Sequence, residues 1–315
     1  MVYDLTGKKV WVAGDRGMVG SAIVRRLQRE GCQILQAGRT SLDLTRQRDV
    51  EQWIKKHTPQ AIFVAAAKVG GIQANINSPA DFLYTNLMIE ANIVEAARQV
   101  GVEKLLMLGS SCIYPREAPQ PMTEDVLLTG ALERTNEPYA VAKIAGIKLC
   151  QTYRRQHNCD YICAMPTNVY GPGDNFAPGS SHVPAALLDR FHQAKTESWP
   201  SVTVWGTGQP RREFLHVDDL ADACVFLMQR YSGEEIINLG TGSDISIAEF
   251  ASLLAETVGY RGDIRFDTSR PDGAPRKLLD VSKARALGWS ASIELRDGLR
   301  MYYEWYLDNT ASLRR

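Results

Sequence analysis

The sequence predicts an α/β fold, with a doubly wound parallel sheet and a smaller C-terminal α+β domain after it. Two patterns lead there. Short apolar runs alternate with amphipathic segments through four strands, which implies right-handed crossovers and a parallel sheet. The first run opens onto a turn with a glycine at every third position, a strand–turn–helix unit able to meet an anion. With 315 residues the chain has room for one large α/β domain and a smaller partner.

Residues 8–13 are a Val-rich run that reads as a buried strand, and residues 21–29 are amphipathic. Between them lie Gly14, Arg16, Gly17, Met18 and Gly20. Glycines here let backbone N–H groups at a helix start approach a pyrophosphate, which makes this a Rossmann-type dinucleotide site. Where NAD is bound, the second strand ends in an acid that holds the ribose 2′-hydroxyl. Here the strand expected over 33–37 runs into Gln36-Ala37-Gly38-Arg39. Arg39, flanked by Arg16 from the turn, suits a 2′-phosphate and predicts NADP, although either Arg also suits a solvated surface.

A helix over 48–57 and a strand over 61–65 follow, with small residues at 66–71 where open α/β sheets bind ligands. Ser78-Pro79 is an N-cap and first-turn pair for a long helix that Gly101 ends. Its apolar residues fall on two faces, Leu83/Leu87/Ala91/Val94 and Phe82/Ile89/Ile93/Ala96/Val100. One face serves the sheet. The other predicts a homodimer through helices at about 81–100 and 139–156.

Residues 104–108 are the fourth strand, and Ser110, Ser111 and Cys112 stand at its carboxyl end, where a hydroxyl can hydrogen-bond a substrate oxygen. On the next helix Tyr139 and Lys143 are one turn apart and share a face. An ammonium beside a phenol in a partly dry site is expected to draw the phenol down from ~10 toward neutrality. The pair then donates or accepts a proton at a carbonyl or hydroxyl.

Lys+Arg and Asp+Glu number 36 each, so no net field attracts nucleic acid or an anionic membrane. Six cysteines (Cys32, Cys112, Cys150, Cys159, Cys163, Cys224) show no zinc-type spacing, and no metal is expected. The amino terminus lacks the apolar run of a signal peptide, and no run reaches the ~18 apolar residues of a membrane span. A cytoplasmic protein is the expectation.

Gly14-x-x-Gly17-x-x-Gly20, Ser-Ser-Cys-Ile-Tyr-Pro at 110–115 and Tyr139-x-x-x-Lys143, in that order, resemble the extended short-chain dehydrogenase/reductases. Longer strings at 65–72, 109–115, 136–146, 166–172, 212–219 and 271–280 resemble the bifunctional epimerase/reductases of that family, which act on GDP-sugars. The resemblance implies inversion at C3 and C5 of GDP-4-keto-6-deoxy-mannose and then NADPH reduction at C4. It implies Cys112 as base and His182 as acid for the inversions. It also implies Ser110 and Tyr139 as donors to the C4 oxygen, and Lys143 as the residue that holds the nicotinamide ribose and lowers the Tyr139 pKa. A thiol near ~8.5 and an imidazole near ~6.5 straddle neutral pH, so small shifts give either proton role.

Arg190 is implied to contact substrate, with Trp205, Arg212 and Lys277 as further substrate-binding residues, the two cations suited to a pyrophosphate. The implied division is an NADP-binding domain over 1–170, rejoined by 214–237, and a nucleotide-sugar domain from 171–213 and 238–315. Dehydratases of the family place an Asp-Glu dyad where this chain has Ser111-Cys112. A 4-epimerase would hold NAD, against which the missing acid argues. A non-catalytic NADP-sensing module would lack the Tyr or the Lys. Gly173 departs from the His or Asn that relatives carry there.

Overall fold

The computed structural model describes residues 2–38, 40–270 and 272–314. In chain order the first strands are β1 (Lys9–Ala13), β2 (Gln33–Leu35), β3 (Ala61–Val64), β4 (Lys104–Leu108) and β5 (Asp160–Pro166). They are followed by β6 (Asn168–Tyr170), β7 (Ser201–Trp205), β8 (Arg211–Arg212), β9 (Phe214–His216) and β10 (Ile237–Leu239). The first helices are α1 (Met18–Leu27), α2 (Gln47–His57), α3 (Ile72–Asn77), α4 (Pro79–Val100), α5 (Glu137–His157), α6 (Val183–Thr196), α7 (Val217–Arg230) and α8 (Ile247–Val258).

Six strands pair in parallel in the order β10-β5-β4-β3-β1-β2. Both faces are covered, so every strand residue must find an apolar neighbour. Along β1, Val10 and Val12 join Ile23, Leu27, Leu220 and Cys224 of α1 and α7. Trp11 and Ala13 turn the other way, to Val50, Ile54, Ile93 and Ile147 of α2, α4 and α5. Each such side chain contributes about 1.5–3 kcal/mol by leaving water. The chain reverses direction across the sheet between β1 and β3, and the crevice outside their carboxyl ends is where open α/β sheets take ligands.

The later residues form a separate core in which α6, α8 and the helix Leu295–Asp308 pack through Leu188, Phe191, Phe250, Leu254, Tyr302 and Tyr306. Here β7 pairs with Asp263–Asp267, and β8 lies between Ile245–Ser246 and Arg276–Lys277.

Several boundaries differ from expectation. β2 stops at Leu35, because as the outer strand it has a neighbour on one side only. α3 was not foreseen. It makes Ser78 the junction between two helices, with φ −137 and no side-chain cap, so the expected N-cap bond is absent. The expected domain boundary at 237/238 falls inside β10, and the helix Ser282–Leu287 packs against that strand through Ala284.

Candidate active site

The turn after β1 presses against the tip of β3. A Cβ on Gly14 (φ +88) would lie 2.7 Å from the Ala66 backbone, and one on Gly20 2.0 Å from the Gly14 carbonyl oxygen. Only glycine fits either place. Gly17 enters α1 with extended backbone and no side-chain cap, and Met18 is the first helical residue, so the first-turn N–H groups meet no side chain of the protein there. Arg16 is exposed, and its guanidinium crosses to the end of β2, where a Cβ on Gly38 would come within 2.8 Å of it. Arg39 lies outside the described residues. A cradle that no Cβ can enter, uncapped N–H groups and a cation beyond the second strand fit NADP(H).

At the tip of β4, Ser110 caps the short turn Ser111–Ile113, its Oγ accepting from the Cys112 N–H at 3.5 Å and from the Cys112 thiol at 3.3 Å. Cys112 is buried. Pro138 stands in the first turn of α5, followed by Tyr139, whose ring meets Phe82 edge-on at 6.3 Å. One turn on, the buried Lys143 donates to the Leu108 carbonyl at 2.9 Å and pairs with Glu90 of α4 at 2.9 Å.

Burial pushes the Tyr139 phenol well above its ordinary range. Charge on Cys112 and Glu90 adds to this, and a hydrogen bond with Ser110 opposes it. The expectation that Lys143 draws Tyr139 toward neutrality is therefore corrected. The ammonium is 6.0 Å from the ring centroid, and Glu90 offsets its charge. Glu90 itself is pushed up by burial, against the pull of Lys143. Burial likewise raises the Cys112 thiol, while Ser110, Lys277 and Lys143 pull it down.

Lys277 thus reaches the thiol electrostatically, a placement the sequence did not suggest. A buried network puts it there. Asn238 accepts from the Tyr114 hydroxyl at 2.5 Å and donates to the carbonyls of Met122 and Asp280 at 3.0 and 3.1 Å. Glu213, fully buried, accepts from the Gly242 N–H at 2.7 Å and the Leu279 N–H at 3.0 Å. Residues 276–280 are thereby held between β8 and the loop after β4, with Lys277 in register with Arg212. Arg212 is pushed below its ordinary value by burial, and its Nη1 donates to the Arg211 carbonyl at 2.7 Å. Neither Asn238 nor Glu213 stood out in the sequence.

His182 caps the start of α6. Its side chain has accessible surface, yet protein crowds it closely enough to lower its pKa by desolvation. Among the described residues no hydrogen bond or ion pair ties it to Cys112 or Tyr139. Its loop is joined to the tip of β3 by the Gly71 N–H, which donates to the Ser180 carbonyl at 3.0 Å. Arg190 and Trp205 are placed together at β7. The Arg190 Nη1 donates to the Thr203 carbonyl of β7 at 2.7 Å, and Trp205 is exposed with the Arg270 guanidinium 5.1 Å above its ring.

A thiol and a phenol that share one serine, with two ammonium groups in electrostatic reach, can take a proton from carbon beside a carbonyl and return one to its oxygen. Residues 10–240 match the model of the NAD dependent epimerase/dehydratase family. The chain is 56% identical over 305 residues to GDP-L-fucose synthase 1 of Arabidopsis thaliana, covering 96% of this chain and 94% of that one. It is 51% identical over 317 residues to GDP-L-fucose synthase of Escherichia coli (strain K12), covering 97% and 98%. Among solved structures, a GDP-L-fucose synthetase from Naegleria fowleri bound to NADP superposes with a TM-score of 0.92 at 25% identity, covering 100% of each chain.

Proposed function

The chain belongs to the NAD dependent epimerase/dehydratase family, and we propose that it converts GDP-4-keto-6-deoxy-D-mannose to GDP-L-fucose, inverting C3 and C5 and then reducing C4 with NADPH. The family's name speaks of NAD, but this chain sets Arg16 beside the end of β2 and is similar throughout to a protein solved with NADP. The observation that carries the site assignment is Ser110, whose Oγ accepts from the Cys112 thiol and which also lowers the pKa of the Tyr139 phenol, so one hydroxyl stands by both half-reactions.

Cys112 removes the protons at C3 and C5, which the neighbouring C4 ketone makes acidic. Its thiolate forms against burial, with Lys277 and Lys143 supplying the favourable charge. Ser110 and Tyr139 donate hydrogen bonds to the enolate oxygen at C4. His182 returns the proton from the other face. It favours the neutral form in the protein alone, and an anionic GDP-sugar nearby would raise its pKa toward the charged form. Bound NADPH supplies the hydride for C4. Tyr139, held protonated by its surroundings, gives the proton to the oxygen, and Lys143 holds the nicotinamide ribose. Gly14, Gly17, Met18 and Gly20 form the pyrophosphate cradle. Arg190, Trp205, Arg212 and Lys277 take the GDP-sugar, Lys277 lying within electrostatic reach of the reacting thiol.

The chain's partner is a second copy of itself. Tyr84 of α4 and Val141 of α5 are 58% and 41% exposed on adjacent helices, apolar surface that a homodimer would cover. No helix among the described residues is long and apolar enough to cross a membrane. Six unpaired cysteines support a cytoplasmic setting.

The test is to incubate the purified protein with GDP-4-keto-6-deoxy-mannose and either NADPH or NADH, and to identify the sugar formed. GDP-L-fucose with a preference for NADPH supports the reading. A 4-reduced sugar with unchanged configuration at C3 and C5 would overturn it.

A further inference from the structure

Glu90 is a buried carboxylate to which the proposed mechanism gives no part. We propose that it is the positioning residue of the Tyr139–Lys143 pair, fixing where the Lys143 ammonium sits and how much of its charge Tyr139 feels. Glu90 is 1% exposed on α4 and Lys143 3% exposed on α5, and their 2.9 Å contact crosses the interface between the two helices. The ammonium is held from two sides, by Glu90 and by the Leu108 carbonyl at 2.9 Å. Lys143 is the only cation paired with this carboxylate among the described residues.

The helix facing Glu90 is shaped to admit it. Gly146 follows Lys143 by three residues, and a Cβ there would fall 2.2 Å from one carboxylate oxygen and 2.7 Å from the carboxyl carbon. Glycine is a poor residue for a helix interior, so its presence there marks a requirement for space. A buried ion pair adds little stability over a well-packed apolar pair. Packing alone therefore does not call for a carboxylate in this place.

The groups facing the pair are few. Tyr139 and Cys112 stand on the substrate side, with Lys277 beyond the thiol, and Cys150 lies behind on α5 with Cys163 of β5 next to it. Of these, Glu90 alone is a carboxylate. Its charge acts on Tyr139 against the Lys143 ammonium, which lies 6.0 Å from that ring. Removing it leaves the ammonium uncompensated, and the Tyr139 phenolate becomes easier to form.

The inference rests on Tyr139 as the proton donor of the reduction, but its test needs no sugar and so stands apart from the substrate assignment. Protein labelled with ¹³Cζ-tyrosine is titrated by NMR, with Tyr139→Phe assigning one resonance among the 12 tyrosines. Tyr139 in the wild type should stay a phenol past pH ~10. In Glu90→Gln its titration should move down by about one pH unit, and Glu90→Asp should restore part of the difference. Gly146→Ala, which drives the intact carboxylate off Lys143, should move it in the same direction. The basic limb of the NADPH-dependent reduction should shift with it. An unchanged Tyr139 titration in Glu90→Gln and Gly146→Ala, with only thermal stability reduced, would make Glu90 structural and overturn the proposal. If neither variant folds, Glu90→Asp decides, since its shorter side chain draws the carboxylate back from Lys143, and an unchanged Tyr139 titration there also overturns the proposal.

Discussion

Glu213→Gln should separate the frame of the site from its chemistry. Glu213 is fully buried, one carboxylate oxygen accepting from the Gly242 N–H at 2.7 Å and the other from the Leu279 N–H at 3.0 Å. A glutamine has one acceptor oxygen. Whichever way the amide turns, one N–H is left facing an NH₂ group. A buried donor without a partner costs about 1–3 kcal/mol, and a hydrogen bond to a charged acceptor is worth about 1.5–3. The neutral side chain recovers part of that, because burying the carboxylate is itself unfavourable, as its raised pKa shows. A net loss of about 2 kcal/mol is expected. For a chain of this size that is roughly 3 °C in Tm. Leu279 is two residues from Lys277, and Glu213 adjoins Arg212, so the cation beside Cys112 should also loosen. Urea melts give the stability, and deuterium uptake into the keto-sugar gives the effect on the thiol, with a fall of about tenfold expected. Stability within about 0.5 kcal/mol of wild type, or unchanged uptake, would refute the reasoning.

Gly20→Ala sets a Cβ 2.0 Å from a backbone oxygen and should abolish NADPH binding while costing about 1–3 kcal/mol of stability, as isothermal titration and thermal melts would register. Arg16→Met should lower NADPH affinity roughly tenfold or more and leave NADH affinity nearly unchanged, since the cation serves only the 2′-phosphate. Asp174 is raised by burial from the usual 3.8 to about 6. Its folded form therefore keeps a proton that the unfolded chain gives up, so its contribution is full below pH ~4 and lost as pH rises through about 6. The change is about 3 kcal/mol. Asp174→Asn should remove that slope, and the gap between the two proteins in urea melts should move by about that much in favour of the variant between pH 4 and 7.

The short apolar runs and the glycine turn made the parallel sheet legible, because parallel strands buried on both faces read as near-continuous apolar stretches whatever their neighbours. The Tyr139–Lys143 spacing was legible because it is local to one helix. What joins distant segments was not. Asn238 and Glu213 acquire their roles only when β8, β10 and residues 276–280 meet, and nothing about either residue in isolation announces a buried network. Lys277 read as a generic cation for the same reason. Glu90 left a faint trace, since Asn86, Glu90 and Val94 follow one face of α4 at i, i+4 spacing and Gly146 interrupts α5. Both signals needed the packing of α4 on α5 to acquire meaning. The pKa of Tyr139 was misjudged because the sequence shows the ammonium and hides the carboxylate that offsets it.

The central claim is that Cys112 and Tyr139 serve two half-reactions in one site. Incubation of the wild type and Cys112→Ser with GDP-4-keto-6-deoxy-mannose in D₂O, without NADPH, tests it most directly. The wild type should gain deuterium at C3 and C5, and Cys112→Ser should lose at least two orders of magnitude of that exchange, the scale of general base catalysis. Exchange in the variant equal to wild type would contradict the assignment of Cys112 as the base.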